Sequence, residues 1–328
     1  MIDIPTLFAQ IAVMALMILP GTLIAKAKLA PEGLGKGLSN IVLYVTQPVM
    51  IVAGFLSTNP TGDILIRMLA VFVFSVIVHV AFFFVAKLFF GRAPNGKREV
   101  LIFATTFSNA GFFGIPLLVA LFGQAHPEIA IYASIYVATF NIYVWSLGAY
   151  IFTHDKSYIS PKKMFLNPSV IATYIGLFFF ALAAIPSVRD AFIIPFFRVE
   201  TSVLYDVIQF LQGTVAPLAM FIVGLQLAKV NFRQAFREKT LYLYLIVALF
   251  VIPLVTFSLT TLTSILGIYD DPLAESVLLL SAATPAATAT SMFAELHDGD
   301  TRFSGLVVSV SSLLCIITMP IVSLLTII

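Results

Sequence analysis

The sequence predicts an all-α polytopic membrane protein with ten transmembrane helices, arranged as two inverted five-helix repeats. Three observations predict it. Of 328 residues, 60% are hydrophobic and only 10% charged, and the mean hydropathy is +1.04. A soluble domain carries about 25% charged residues, so this chain has too few to cover a surface in water. Apolar runs of roughly 20 residues, enough to cross a bilayer as a helix, recur along the whole chain. The basic residues between them fall almost entirely after alternate runs.

Taken in order, the first five spans read Ile4–Ala25, Leu38–Leu56, Ile64–Phe90, Val100–Phe122 and Ile129–Phe152. The second five read Pro168–Ile185, Val203–Ala228, Leu241–Leu266, Leu273–Ala294 and Phe303–Ile327. The opening Met1-Ile2-Asp3-Ile4-Pro5 lacks the basic region of a cleavable leader, so the first run is expected to remain as a helix. Lys26, Lys28 and Lys36 follow the first span, and Lys87, Arg92, Lys97 and Arg98 the third. Lys156, Lys162 and Lys163 follow the fifth; Lys229, Arg233, Arg237 and Lys239 the seventh; Arg302 the ninth. Only Arg67, Arg189 and Arg198 fall on the other side. Cytoplasmic loops collect Lys and Arg, which places the odd-numbered loops in the cytoplasm and both termini outside the inner membrane. Basic residues dispersed over short loops form no patch for nucleic acid; the expected surroundings are lipid.

An odd number of spans per half forces the second half to start on the opposite side. The division expected is 1–153 for the first repeat, 154–166 for a cytoplasmic linker and 167–328 for the second, inverted repeat. Gln47-Pro48-Val49-Met50 with Gly54 in the second span is echoed by Ala216-Pro217-Leu218-Ala219-Met220 with Gly224 in the seventh.

The fourth span holds Ser108-Asn109-Ala110-Gly111-Phe112-Phe113-Gly114-Ile115-Pro116, a polar pair followed by two glycines and a proline. Pro116 removes a backbone donor and crowds the carbonyl four residues earlier. The ninth span holds Ser281-Ala282-Ala283-Thr284-Pro285-Ala286-Ala287-Thr288. Helices broken at matching places in two halves point to a transport site. Unpaired amides at membrane depth are tolerated only beside protein or a water-filled cavity, and a half-helix beginning there offers free N–H groups to an anion. Asn109 can add its side-chain amide, with Ser108, the half-helix from Gly111 to Pro116, and Thr284, Pro285 and Thr288 around it.

The run Phe107-Ser108-Asn109-Ala110-Gly111-Phe112-Phe113-Gly114-Ile115-Pro116-Leu117-Leu118 resembles the fourth-helix signature of the auxin efflux carrier family, which includes the plant PIN transporters and bacterial malonate and malate permeases. Asn167-Pro168, Pro217-Leu218-Ala219-Met220 through Gly224, Thr284-Pro285 through Phe293-Ala294, and Ser311 through Pro320 resemble its later helices. The resemblance implies a fold like that of the bile acid/sodium symporters, with crossed broken helices and elevator-type alternating access. It implies substrate carboxylate at Asn109, the family's Asn-Pro asparagine of the site at Asn167, and a homodimer through scaffold helices. Plant members continue Asn-Pro-Asn where this chain has Ser169, and carry a long loop where this chain has a short one. A permease for a small mono- or dicarboxylate is therefore expected ahead of an auxin carrier.

Other side chains are candidates by depth. Asn141, one turn from Trp145, and Tyr143 lie in the fifth span, and Gln47 precedes Pro48 in the second. An intramembrane amide needs a partner, supplied by a cavity or by another helix. Intramembrane Ser and Thr otherwise bond their own helix backbone. His79, the histidine placed within a span, is a candidate proton relay, or a neutral packed side chain. Glu99 and Glu275 open the broken spans and read as helix-capping carboxylates. The single Cys315 reads as packing. No cofactor or metal site is expected; the coupling ion is H+ or, alternatively, Na+. Intramembrane enzymes need paired catalytic groups at depth, and neither a Ser-His pair nor two carboxylates can be placed there. A sodium-coupled carrier of larger amphipathic anions and a membrane sensor are the remaining alternatives.

Overall fold

The computed structural model describes residues 4–94, 96–228, 230, 235 and 237–326. Met1–Asp3, Lys229, Arg233 and Ile327, which entered the expectations above, lie outside the described residues. The regular secondary structure of the described residues is helical apart from one isolated bridge.

The helices are α1 Ile4–Lys26, α2 Leu34–Leu56, α3 Gly62–Phe90, α4 Lys97–Thr106, α5 Ala110–Phe122 and α6 Ile129–Thr153. They continue as α7 Pro168–Ala183, α8 Pro186–Phe197, α9 Val203–Leu227, α10 Lys239–Ile265, α11 Pro272–Ala282, α12 Ala289–Leu296 and α13 Thr301–Ser323. Seven of these are long and apolar enough to cross a membrane: α1, α2, α3, α6, α9, α10 and α13. The pair α7 and α8 also qualifies, but bends by 107°. The fourth and ninth expected spans are each two short pieces, α4 with α5 and α11 with α12.

Local chemistry sets the helix starts. Thr61 accepts from the Ile64 N–H, Asn167 from Val170, Asp300 from Phe303, and Asp271 from both Leu273 and Ala274. Proline at the first position of α7 and α11 gives up a donor that would be unpaired anyway. Glu99 accepts the Gly96 N–H at 2.8 Å and so caps α4, as its position at a helix start suggested. The helix α8 was not legible as one; residues 186–202 read as a loop because Pro186 and a short apolar run carry no spanning pattern.

Two close helix pairs organise the interior. α1 packs along the second half of α9, and α7 along the second half of α2. In the first pair Gly21 and Gly224 bring backbones together, so that a Cβ on either would run into the other helix's carbonyls. Thr22 donates to the Gly224 carbonyl at 3.1 Å. In the second pair Gly176 lies against the Phe55 ring. Bilayer helices lack a hydrophobic drive toward one another, and such small-residue contacts supply the packing instead.

The three basic residues on the sparsely charged side are all engaged. Arg67 pairs with Asp271 and approaches Glu128 at 3.9 Å, and Arg189 pairs with Asp190. Arg198 closes the end of α2, donating to the carbonyls of Leu56 and Thr58 and to the Asn59 side chain.

Candidate functional site

The two breaks meet. After α4 the chain turns extended at Phe107, and Ser108 forms an antiparallel bridge with Ala286. The Asn109 N–H donates to the Pro285 carbonyl at 2.7 Å, and the Ala287 N–H to the Phe107 carbonyl at 3.0 Å. Backbone groups that a break would leave bare are thus satisfied across 176 to 180 positions of sequence, as membrane depth requires. Ser108 and Thr284 both donate to the Ser281 carbonyl at 2.8 Å. The Ala286 N–H is taken by the Ser311 hydroxyl of α13 at 3.1 Å, while that hydroxyl itself donates to Val307.

This corrects one expectation. The break in the fourth span falls at Phe107–Asn109, and Pro116 lies inside α5, buried and away from the cavity. The π-turn Ala110–Gly114 widens the helix just before the proline. In the ninth span Pro285 does stand at the break, where its carbonyl is the acceptor for Asn109.

A cavity of about 2160 Å³ reaches the crossover. Its lining runs from residues 30–36 with Lys162 and Lys163 at one end to Leu56, Phe179 and Phe197 at the other. Asn109, Gly111 and Phe112 line it from the start of α5, and Ala287, Thr288 and Ala289 from the start of α12. The first N–H groups of a helix have no partner within it, and its N-terminus carries a partial positive charge. Both helix starts face one cavity, with the Thr290 and Ser291 N–H groups of α12 already donated to the Ala287 and Thr288 carbonyls, and no cationic side chain stands among these six residues.

Gln47, Asn141 and Asn167 also line the cavity. Asn141 donates to the Val137 carbonyl of its own helix, which leaves its oxygen for the cavity. Asn167 is committed to capping: its oxygen takes the Val170 N–H and its nitrogen donates to Lys163 and Met164. Asn109 is 5% exposed and Gln47 2%; Nδ2 of the first and Oε1 of the second have no hydrogen-bond partner. Ser108 and Thr284 are buried in the crossover rather than placed on the cavity wall. Tyr143 turns away, stacked on His79 with ring centroids 5.5 Å apart. His79 is buried, with Nδ1 bonded to the Ser75 carbonyl at 2.7 Å. Rings of Phe82, Phe107, Tyr136 and Phe140 complete its surroundings, and it does not reach the cavity.

Sequence reasoning missed Gln226 of α9, which lines the cavity with an unpartnered Oε1, and Lys163, whose ammonium lies 4.6 Å above the Trp145 ring. Nearby, burial and then Lys163 hold the His297 imidazole below its ordinary range. Ser311 was quoted only as part of a motif; its support of the crossover needed the fold.

Apolar spanning helices, a broken pair joined at the centre, and a deep cavity lined by helix starts define a multi-pass membrane transport protein. The family model described as membrane transport protein matches residues 6–323, and the chain belongs to that family, the auxin efflux carrier family. Comparison with curated proteins found no match.

Proposed function

We propose that this protein is a secondary active transporter of small organic anions, mono- or dicarboxylates such as malonate or malate, working by elevator-type alternating access. The carrying observation is Asn109: an unpartnered, buried amide on a cavity wall, at the crossing of two broken helices whose starts face the same space. A carboxylate accepts from the Asn109 amide and from the N–H groups at the start of α5, with Thr288 and the start of α12 across the cavity. Ser108, Thr284 and Pro285 hold this geometry from behind.

The architecture in this proposal is ten membrane-crossing units in two inverted repeats, like the bile acid/sodium symporters. The packing supports it, since exchanging the halves maps the α1 with α9 contact onto that of α7 with α2. The placement of both termini outside the inner membrane, on the strength of loop charge, belongs to the same proposal. The coupling ion proposed is H+, with Na+ as the alternative, and a homodimer through the scaffold helices is part of the same reading.

The cavity volume favours a second reading. It exceeds the roughly 300–1,000 Å³ of an ordinary ligand pocket, as a carrier of larger amphipathic anions would need.

The test is uptake of radiolabelled malonate and malate into proteoliposomes, with and without an imposed proton or sodium gradient, alongside Asn109→Ala. Saturable uptake lost in the variant is expected. Unchanged affinity and rate in Asn109→Ala would remove the site assignment. Absence of uptake by folded protein under every gradient would turn the search to larger anions and to a sensor role.

A further inference from the structure

Between α7 and α9 the chain does not simply turn back; it bends by 107° into α8, Pro186–Phe197. α7 has 16 residues, about 24 Å at 1.5 Å per residue, which carries it through most of a hydrocarbon core of roughly 30 Å. α8, about 18 Å long, is too short to cross that core, and α9, with 25 residues, is long enough to cross back. One side of α8 faces the protein. Ile193, with no exposure, and Phe197 pack on Leu56, Ala183 and Phe179. Another side faces nothing in the chain. Phe192 and Phe196, four apart and so on one face, are 43% and 44% exposed, with ring centroids 5.3 Å apart and Pro195 exposed beside them. The charges of this segment already have partners: Arg189 pairs with Asp190 at 2.8 Å, and Arg198 donates to the Leu56 and Thr58 carbonyls and to Asn59.

We infer that α8 is a lipid-binding interfacial helix. It lies in the plane of the bilayer boundary with Phe192, Pro195 and Phe196 among the first acyl carbons, and it holds the α2 and α7 pair at that depth. Such helices bury an apolar face roughly 5–10 Å into the boundary, and aromatic rings gather at that level. Dipping α8 into the core instead would take Arg189 and the exposed Asp190 away from water, which hydrocarbon penalises. With Arg189 neutralised by Asp190 and Arg198 turned to α2, the contact is apolar and indifferent to headgroup charge. Arg198 passes the position of α8 to the end of α2, and Ile193 passes it to α7 through Ala183. The inference stands whatever the protein carries.

Trp145 is the single tryptophan, so Trp145→Phe gives a silent background into which Phe192→Trp or Phe196→Trp is placed. The purified full chain is reconstituted in phosphatidylcholine vesicles whose acyl chains carry bromine either near the headgroup or near the midplane, and iodide is added from the water. At both positions the expected result is blue-shifted emission, quenched more by shallow bromines than by deep ones and little by iodide. The same pattern is expected when anionic lipid is mixed in. Stronger quenching by deep bromines, as a re-entrant α8 would give, overturns the inference. Quenching by iodide alone overturns it as well, and so does the absence of any quenching, the outcome if a second copy of the chain covers this face. Anchoring is read with Trp145 kept in place. Phe192→Ser combined with Phe196→Ser is expected to raise hydrogen exchange in bilayers over residues 186–198 and 54–59, and unchanged exchange there overturns the anchoring role. Should Trp145→Phe fail to fold, this second comparison decides.

Discussion

Ser311 offers a direct measure of how the crossover is held. Its hydroxyl accepts the Ala286 N–H at 3.1 Å, inside the break, from a position with no exposure to solvent. Ser311→Ala removes one oxygen and leaves that amide buried with nothing to donate to. The lost bond to Val307 costs little, because that carbonyl keeps its helical partner. An orphaned buried amide costs about 1–3 kcal/mol. At about 2.1 cal/mol/K per residue, the scaling of soluble domains, that corresponds to a fall in the unfolding midpoint of roughly 1–2 °C per kcal/mol in a chain of 328 residues. The protein contains its own probe. Cys315, its single cysteine, is fully buried one turn along α13, with its sulfur 3.7 Å from the Ala283 carbonyl at the edge of the break. Heating purified protein in detergent with a fluorogenic maleimide reports when that thiol opens. Ser311→Ala is expected to lower the midpoint by a few degrees and to speed labelling below it. Ser311→Thr, which keeps a hydroxyl, is expected to recover most of the loss. If Ser311→Ala labels and melts like the wild type, the Ala286 amide is not held as described and the reasoning fails.

Three further predictions follow from the packing and the loops. Gly224→Val forces side-chain atoms into the α1 backbone and is expected to destabilise by about 1–3 kcal/mol or more, read as reduced folded yield and a lower midpoint. Arg198→Gln removes charge-assisted bonds to the end of α2, so hydrogen exchange should rise at residues 54–59 and nowhere distant. Glu238, in the loop before α10, bonds Lys97 at 2.7 Å, and that bond holds its carboxyl below the usual range. A depressed folded-state value stabilises above the unfolded value, near pH 4.3, and the contribution disappears as pH falls through the folded value. Glu238→Gln should therefore lower stability modestly at pH 7 and leave it unchanged at pH values below the folded one, flattening part of the acid limb followed by tryptophan emission.

The seven long spans were legible because each is an apolar run bounded by charge or turn residues. That both the fourth and ninth spans break was legible in their glycines, prolines and hydroxyls. Where the fourth breaks was not. Proline marks a place where a helix loses a bond locally, but the helix is interrupted at Phe107–Asn109 because these residues pair with those around Pro285, a partner no local pattern displays. The π-turn before Pro116 absorbs the proline without a break. Of the amides singled out, Gln47, Asn109, Asn141 and Asn167 all reach one cavity; composition can flag an intramembrane amide but cannot tell a cap such as Asn167 from an open group such as Asn109. Tyr143 and His79 share a helix-to-helix contact, which their depth alone could not distinguish from a place on the cavity wall. Gln226 lay unremarked among the apolar residues of its span, although a lone amide at that depth was itself a signal.

The two breaks are fastened to each other through main-chain atoms, by a pair of bonds in which no side chain takes part. Peptide groups are the same whatever residue carries them. The crossing can therefore survive replacement of many of the side chains around it, while those that point into the cavity are released to change with the ligand. A chain built this way can acquire a new cargo by altering one or two wall residues, without having to rediscover how to hold its helices open in the middle of a membrane.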